Sequence, residues 1–347
     1  MARKVLWASL ALAPVTILVD FLAHPGETLL FVLAAFALVP LAWLIGEATE
    51  HAAEHTGPGI GGFLNATFGN APELIIALFA VNEGLTEVVR GSLTGSVVGN
   101  LLLVLGFSLL FGGSGAVDRL STFVSLALVA LAVLLFLIPA VPGWEGDHER
   151  RLIELLSLPV SVVLLLVYAG VTWFSLRRHQ RLHDAVEEPG AVRAWSLKVS
   201  LVALGVATAA TAVIAEILVH SLETFAERAH LTDFFVAAVI VAIVGNAAEH
   251  GGAVVVAYRG KIRLAAEIAL ASSAQVAVFL VPAVALLAWL IEPLALSFRP
   301  VEILTLAASV LVAAVLLGGG RSSRARGLVL IAAYVAVAAA FFAAGDR

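Results

Sequence analysis

This sequence predicts an all-α integral membrane fold of eleven transmembrane helices: a first helix, then two inverted-topology repeats of five. Three observations predict it. Of the 347 residues 61% are hydrophobic, with a mean hydropathy of +1.04. The apolar residues fall into runs of about 20, the length that crosses roughly 30 Å of hydrocarbon. One pentapeptide, Gly69-Asn70-Ala71-Pro72-Glu73, returns as Gly245-Asn246-Ala247-Ala248-Glu249. With only 13% charged residues a soluble domain is excluded. The absence of cysteine removes disulfides, zinc-thiolate sites and cysteine nucleophiles. The basic residues are scattered through short loops, which excludes a nucleic-acid partner.

Arg3 and Lys4 precede the first run, residues 5–21, which lacks a small-residue cleavage pattern and reads as a transmembrane helix, not a secretory signal. The later runs centre near Val39, Ile75, Leu102, Ala130, Leu164, Ala210, Ala242, Ala277, Val310 and Val335, the first near Ala13. Breaks are expected at Thr56-Gly57-Pro58-Gly59, Val141-Pro142-Gly143-Trp144 and Gly318-Gly319-Gly320-Arg321. Of the 20 basic residues, this threading leaves Arg90, Arg150, Arg151, Arg228, Arg299 and Arg347 on one side and the rest on the other. Cytoplasmic loops retain Lys and Arg, so the N-terminus is expected inside and the C-terminus outside.

The repeat extends beyond the pentapeptides. Glu47, His51 and Glu54 match Glu216, His220 and Glu223 at one constant offset, and Asn100 is set against Gln275. The expected division is residues 1–25 as the first helix, 26–176 as repeat one, 177–198 as a cytoplasmic linker and 199–347 as repeat two. Five helices per unit is odd, so the units face opposite ways. Such an arrangement, with a site near the midplane on interrupted helices, characterises secondary transporters. Pro72 has no amide hydrogen and should kink the third span there.

A carboxylate in hydrocarbon is costly and marks an ion or proton pathway by default. Asn70 and Glu73 are three residues apart, as are Asn246 and Glu249, so each pair shares a helical face. Gly69 and Gly245 loosen the helix one turn before each acid. Two carboxylates, two carboxamides, freed carbonyls and water give the six to eight hard oxygen ligands that suit calcium. The same oxygens take protons when the metal leaves, which implies cation/proton antiport with no cofactor: the only ions required are transported calcium and protons.

At these residues the chain resembles the calcium/proton antiporters of the calcium/cation antiporter superfamily, over nearly its whole length. The signatures are Gly69 to Leu74, Gly245 to His250, Gly95-Ser96 before Asn100, and Ser272-Ser273 before Gln275. The resemblance implies that Glu73 and Glu249 are the alternating ion and proton ligands, that Asn70 and Asn246 assist, and that Ser96, Asn100, Ser272 and Gln275 line the path. The sodium-coupled branch carries hydroxyls where this chain has Asn70 and Asn246, which favours protons. Members often have an acidic helix between the halves; here Asp184, Glu187 and Glu188 stand in the linker among arginines.

Glu47, Glu50 and Glu54 at one end of the second span, and Glu216 and Glu223 at the opposite end of the seventh, are read as feeders of the two mouths or as ordinary hydrated helix ends. His250 adjoins Glu249 and could tune selectivity. Gly91, Gly95 and Gly99 are read as a packing stripe, and the tryptophans as interfacial anchors. Three other functions compete: a sodium/calcium exchanger, a channel with the same site, and an intramembrane zinc hydrolase using His51, Glu54 and His55 of the H-x-x-E-H pattern. The bilayer is the expected partner, a homo-oligomer is possible in principle, and Arg outnumbering Lys with abundant alanine points to a prokaryotic plasma membrane.

Overall fold

A computed structural model describes residues 2–23, 26–144, 150–183 and 195–345. Their apolar composition leaves the backbone no water to bond, so the chain satisfies itself by helices nearly throughout. In order these are α1 (Lys4–Ala23), α2 (Glu27–Phe68), α3 (Ala71–Asn82), α4 (Thr86–Gly112), α5 (Arg119–Trp144) and α6 (Arg150–His183). Then follow α7 (Leu197–Ala229), α8 (Asp233–Gly245), α9 (Ala247–Tyr258), α10 (Ile262–Ala288), α11 (Pro300–Leu317) and α12 (Arg324–Ala344). Short strands β1 (Gly115–Ala116) and β2 (Arg321–Ser322) pair antiparallel.

Nine helices among the described residues are long and apolar enough to cross a membrane, and α8 with α9, bent by 59°, makes a tenth span. The remaining expected span, the third, is divided between the end of α2 and the 12-residue apolar α3. At the break expected at residues 56–59 the backbone keeps its helical hydrogen bonding, and α2 runs for 42 residues, yet the chain turns back there: Phe68 packs against the Ile45–Ala48 cluster and Gly69 shares a cavity with Gly46 and Glu50. The kink expected at Pro72 lies instead at Gly69–Asn70, with Pro72 inside the first turn of α3, where its missing amide costs nothing. The expected linker is helical at its start, since α6 continues to His183. Asp184, Glu187 and Glu188 lie outside the described residues.

Two contacts check the threading. Thr224 near the end of α7 donates to Glu27 at the start of α2, and Arg228 Nη1 donates to Thr28 Oγ1 at 3.2 Å. Those ends share a side only if an even number of crossings separates them, as counting the α2/α3 unit as two crossings requires. Likewise β1 and β2 meet after six crossings, on the side opposite Glu27.

α4 and α10 form the centre, with 83% and 67% of their apolar windows buried, whereas α1 at 11% is at the rim. α2 and α7 pack along each other, with Phe31 stacked on Phe225 at 4.2 Å between centroids. α4 and α8 touch at backbone distance: a Cβ on Gly95 would lie 2.0 Å from the Ala238 carbonyl oxygen, and one on Gly91 2.7 Å from that of Phe234. Beside this contact sits a buried ionic cluster. Arg90 pairs with Glu87 and lies 3.8 Å from Glu302, while Arg299 lies 3.7 Å from Glu302 and 3.9 Å from Glu87. Arg90 also donates to the Ser297 carbonyl. Burying two cations with two anions offsets desolvation that neither could bear alone.

Candidate functional site

Both pentapeptides interrupt their spans in the same way. Asn70 (φ −102°, ψ 14°) and Asn246 (φ −88°, ψ 8°) occupy the N-cap position of α3 and α9, and each glutamate falls at the third helical residue. Only the first break contains proline, so the shared Gly-Asn step is the common cause. A helix N-terminus favours a carboxylate within its first turn, and the half-helix that ends just before it offers carbonyl oxygens.

The two acids come together at the crossing of these breaks. Glu73 packs against Gly245, its Cγ and Cδ 3.3 and 3.7 Å from where a Cβ would stand, and the Glu249 carboxylate is near enough for its charge to act on Glu73. Glu73 is buried, and its Oε2 has no hydrogen-bond partner among the described residues. Glu249 accepts from the Ser272 hydroxyl. Asn246 Nδ2 donates to Ser96 Oγ at 2.8 Å and to the Ala242 carbonyl at 3.0 Å. Asn100 Nδ2 donates to Ser272 Oγ at 3.0 Å and reaches Asn246 Oδ1 at 3.5 Å. Its own Oδ1 is buried without a donor among the described residues. Ser273 donates to the Ala269 carbonyl and, at 3.4 Å, to that of Val97. α4 and α10 thus hold one connected polar array, each adjoining a π-helical stretch (Gly99–Val104 and Val276–Leu280) that re-aims its side chains.

Other expected members lie elsewhere. Gln275 is half-buried one residue before its π stretch and makes no side-chain hydrogen bond to the array; Ser272 takes that place. His250 has a buried Nε2 without a partner among the described residues. Asn70 is buried at the first break, and Gly69 and Gly245 line a cavity of about 540 Å³ with Glu47, Glu50 and Glu249. That cavity opens beside the far part of α2, some 20 residues and about 30 Å from Glu27. Glu54 is exposed at 45% and lies 3.9 Å from His51. On the opposite side Glu27, Glu83, His220, Glu223 and Thr224 line a separate pocket of about 280 Å³. Glu216 is exposed on α7 and outside that pocket.

The zinc-hydrolase reading fails on geometry. His55 Nε2 lies 2.6 Å from the Trp195 carbonyl, the His51 ring lies 4.8 Å from that of Trp195, and no three His, Asp or Glu side chains converge among the described residues. Sequence reasoning missed the Arg90–Glu302 cluster; the signal was Arg90, counted only among the charges of one side, and Glu302 at the start of the tenth apolar run.

The chain matches a model described as sodium/calcium exchanger protein over residues 26–177 and 199–343. It is 35% identical to a Ca(2+)/H(+) antiporter from Aphanothece halophytica, covering 98% of this chain and 96% of that one. It is 37% identical to the Ca(2+)/H(+) antiporter ChaA of Bacillus subtilis, covering 92% and 94%. The solved structure of native YfkE superposes with a TM-score of 0.84 at 34% identity, covering 97% and 99%. With the twin broken helices and their paired acids, these likenesses mean that the chain belongs to the sodium/calcium exchanger family, as a membrane transporter and not an enzyme.

Proposed function

We propose that the chain exchanges calcium for protons by alternating access, the two ions taking turns on Glu73 and Glu249. The observation that carries this is the packing of the Glu73 carboxylate against Gly245 at the second break, four residues before Glu249, which stands on the wall of an acidic cavity. Two carboxylates with a divalent cation are neutral, and so are two protonated carboxyls; the empty, doubly charged site is costly in hydrocarbon. Coupling follows, because the neutral forms are the ones that can change access. Asn70, Asn246, Asn100, Ser96 and Ser272 supply neutral oxygens or hold them in place, and Gly69 and Gly245 bring backbone close to the ion. Relatives named Ca(2+)/H(+) antiporters support calcium and protons over sodium, as do carboxamides at residues 70 and 246.

Repeats at residues 26–176 and 199–347, joined by a linker at 177–198, are the frame for the motion. The cavity opens on the side that carries most of the basic residues, which the positive-inside rule assigns to the cytoplasm. This form is then inward-open, with the N-terminus inside and the plasma membrane of a prokaryote as its place. Glu47 and Glu50 attract cations to that mouth, and Glu223 with Glu27 and Glu83 to the other.

Everted vesicles under an inside-acid gradient test the reading through calcium uptake by the parent, Glu73→Gln and Glu249→Gln. Losing one carboxylate forfeits about 4 kcal/mol per unit of cation charge at ~4 Å and an effective dielectric of ~20, before desolvation is counted. Both variants should lose uptake, and a sodium gradient at clamped pH should drive none. Uptake persisting in either variant overturns the assignment.

A further inference from the structure

We infer an anionic phospholipid site in the groove between α5 and α11. This groove, about 520 Å³, is lined by Arg119, Thr122, Phe123, Ala127, Ala130 and Val310 among others, and apart from its mouth it is apolar. It serves no part of the ion path: none of its lining belongs to the carboxylate array or to either acidic pocket.

Three observations select the occupant. The first is length. From Arg119 to Ala130 along α5 is about 16 Å, which matches one leaflet, half of roughly 30 Å of hydrocarbon. An acyl chain entering at the head-group level therefore ends where the groove ends. The second is charge. Arg119 at the mouth is exposed and makes no ion pair among the described residues, while its stem lies over Gly320, where a Cβ would be 2.6 Å from Arg119 Cγ. Its neighbour Asp118 is already engaged by Arg263, and β2 and the start of α12, paired with the segment just before Arg119, carry exposed Arg321 and Arg324. The mouth thus carries Arg119, with its neighbouring acid engaged elsewhere, complementary to a phosphate and repellent to a basic segment. The third is shape. Leu120 (56% exposed) and Phe123 (71% exposed) stand out from α5 as a wall open to the bilayer, so a chain can enter sideways from the lipid. The Thr122 hydroxyl, one turn below Arg119, is buried and has no hydrogen-bond partner among the described residues.

The full chain reconstituted in nanodiscs of equal phosphatidylglycerol and phosphatidylcholine, then extracted and examined by native mass spectrometry, tests the site. The parent should retain about one phosphatidylglycerol per chain, favoured by about five-fold or more, the scale of one basic residue's attraction to an anionic surface. Arg119→Gln should lose the preference and Arg119→Lys keep part of it. Ala127→Trp, which fills the groove from an exposed position, should lose the bound lipid of either kind while thermal melting stays unchanged. Equal retention of both lipids by the parent means annular lipid only and overturns the proposal. So does a parent that is dimeric without lipid and becomes monomeric with Ala127→Trp, since a second copy would then cover the groove.

Discussion

The glycine stripe of α4 gives a test in which two neighbouring glycines answer with opposite signs. At Gly95 a methyl group would stand 2.0 Å from the Ala238 carbonyl oxygen, against backbone that cannot swing aside. Relief requires α4 and α8 to part by about 1 Å, and overpacking of this kind costs about 1–3 kcal/mol. The same displacement stretches the 2.8 Å bond from Asn246 to Ser96, the next residue along. Losing that bond adds about 0.5–1.5 kcal/mol, so Gly95→Ala should cost about 2–4 kcal/mol in all. At Gly99, one turn on, nothing stands within 4 Å of an added Cβ. Gly99→Ala should therefore be neutral or stabilise by up to ~1 kcal/mol through reduced backbone freedom. Thermal unfolding in detergent with and without calcium measures both, and vesicle uptake shows whether the array survives. Gly95→Ala melting with the parent, or Gly99→Ala falling as far as Gly95→Ala, would refute the close-contact argument.

Acid should weaken calcium binding, since protons and metal claim the same oxygens: if both carboxyls must be emptied, apparent affinity falls by about 100-fold per pH unit at the acid limit. Isothermal titration across pH checks this, and a flat profile contradicts a shared seat. Arg90→Met leaves Arg299 as the one cation of the cluster facing Glu87 and Glu302, the latter 0% exposed, and should destabilise by about 3–5 kcal/mol, with Glu302→Gln added in the same chain restoring part of the loss in melting experiments. Asp118, outside the spans, is held below the ordinary carboxylate range by the Ser121 amide and then by Arg263. Its stabilising effect is present above the ordinary aspartate value of about 3.9 and is lost as pH falls through the lower folded value. Asp118→Asn should accordingly lower Tm slightly at neutral pH, and the gap should close in strong acid.

The spans were legible because bilayer thickness converts directly into run length, and the twin acids because a carboxylate in such a run has few idle explanations. Residues 56–59 misled in one respect only: the chain does reverse between Ala53 and Gly69, but it keeps its helical backbone through the reversal, because an apolar setting has no other donors to exchange for its own. Pro72 misled in the opposite way: proline tolerates a first turn, so the break settled at the Gly-Asn step that both repeats share. The π-helical stretches at Gly99–Val104 and Val276–Leu280 left no mark in composition, since either is one residue of slack in an otherwise ordinary helix. Gln275 was matched to Asn100 by carboxamide chemistry, while Ser272 stands at the same offset from Ser96 as Glu249 from Glu73. Which mouth stands open is a property of packing between α2, α7 and the central helices, and no local pattern encodes it.

The small β1–β2 bracket has a consequence for assembly. Val117 N donates to the Gly320 carbonyl at 3.0 Å and Ser322 Oγ to the Gly113 carbonyl at 2.9 Å, joining segments 207 residues apart in the Ser322–Gly115 contact. A ribosome adding about 5–20 residues per second delivers the second strand some 10–40 s after the first. During that interval the α4–α5 corner sits in the membrane with its seam unfilled, and a nascent chain stopped before Arg321 would keep it so. Quality control that recognises unfinished membrane proteins has a window there, closed only when the last hairpin arrives.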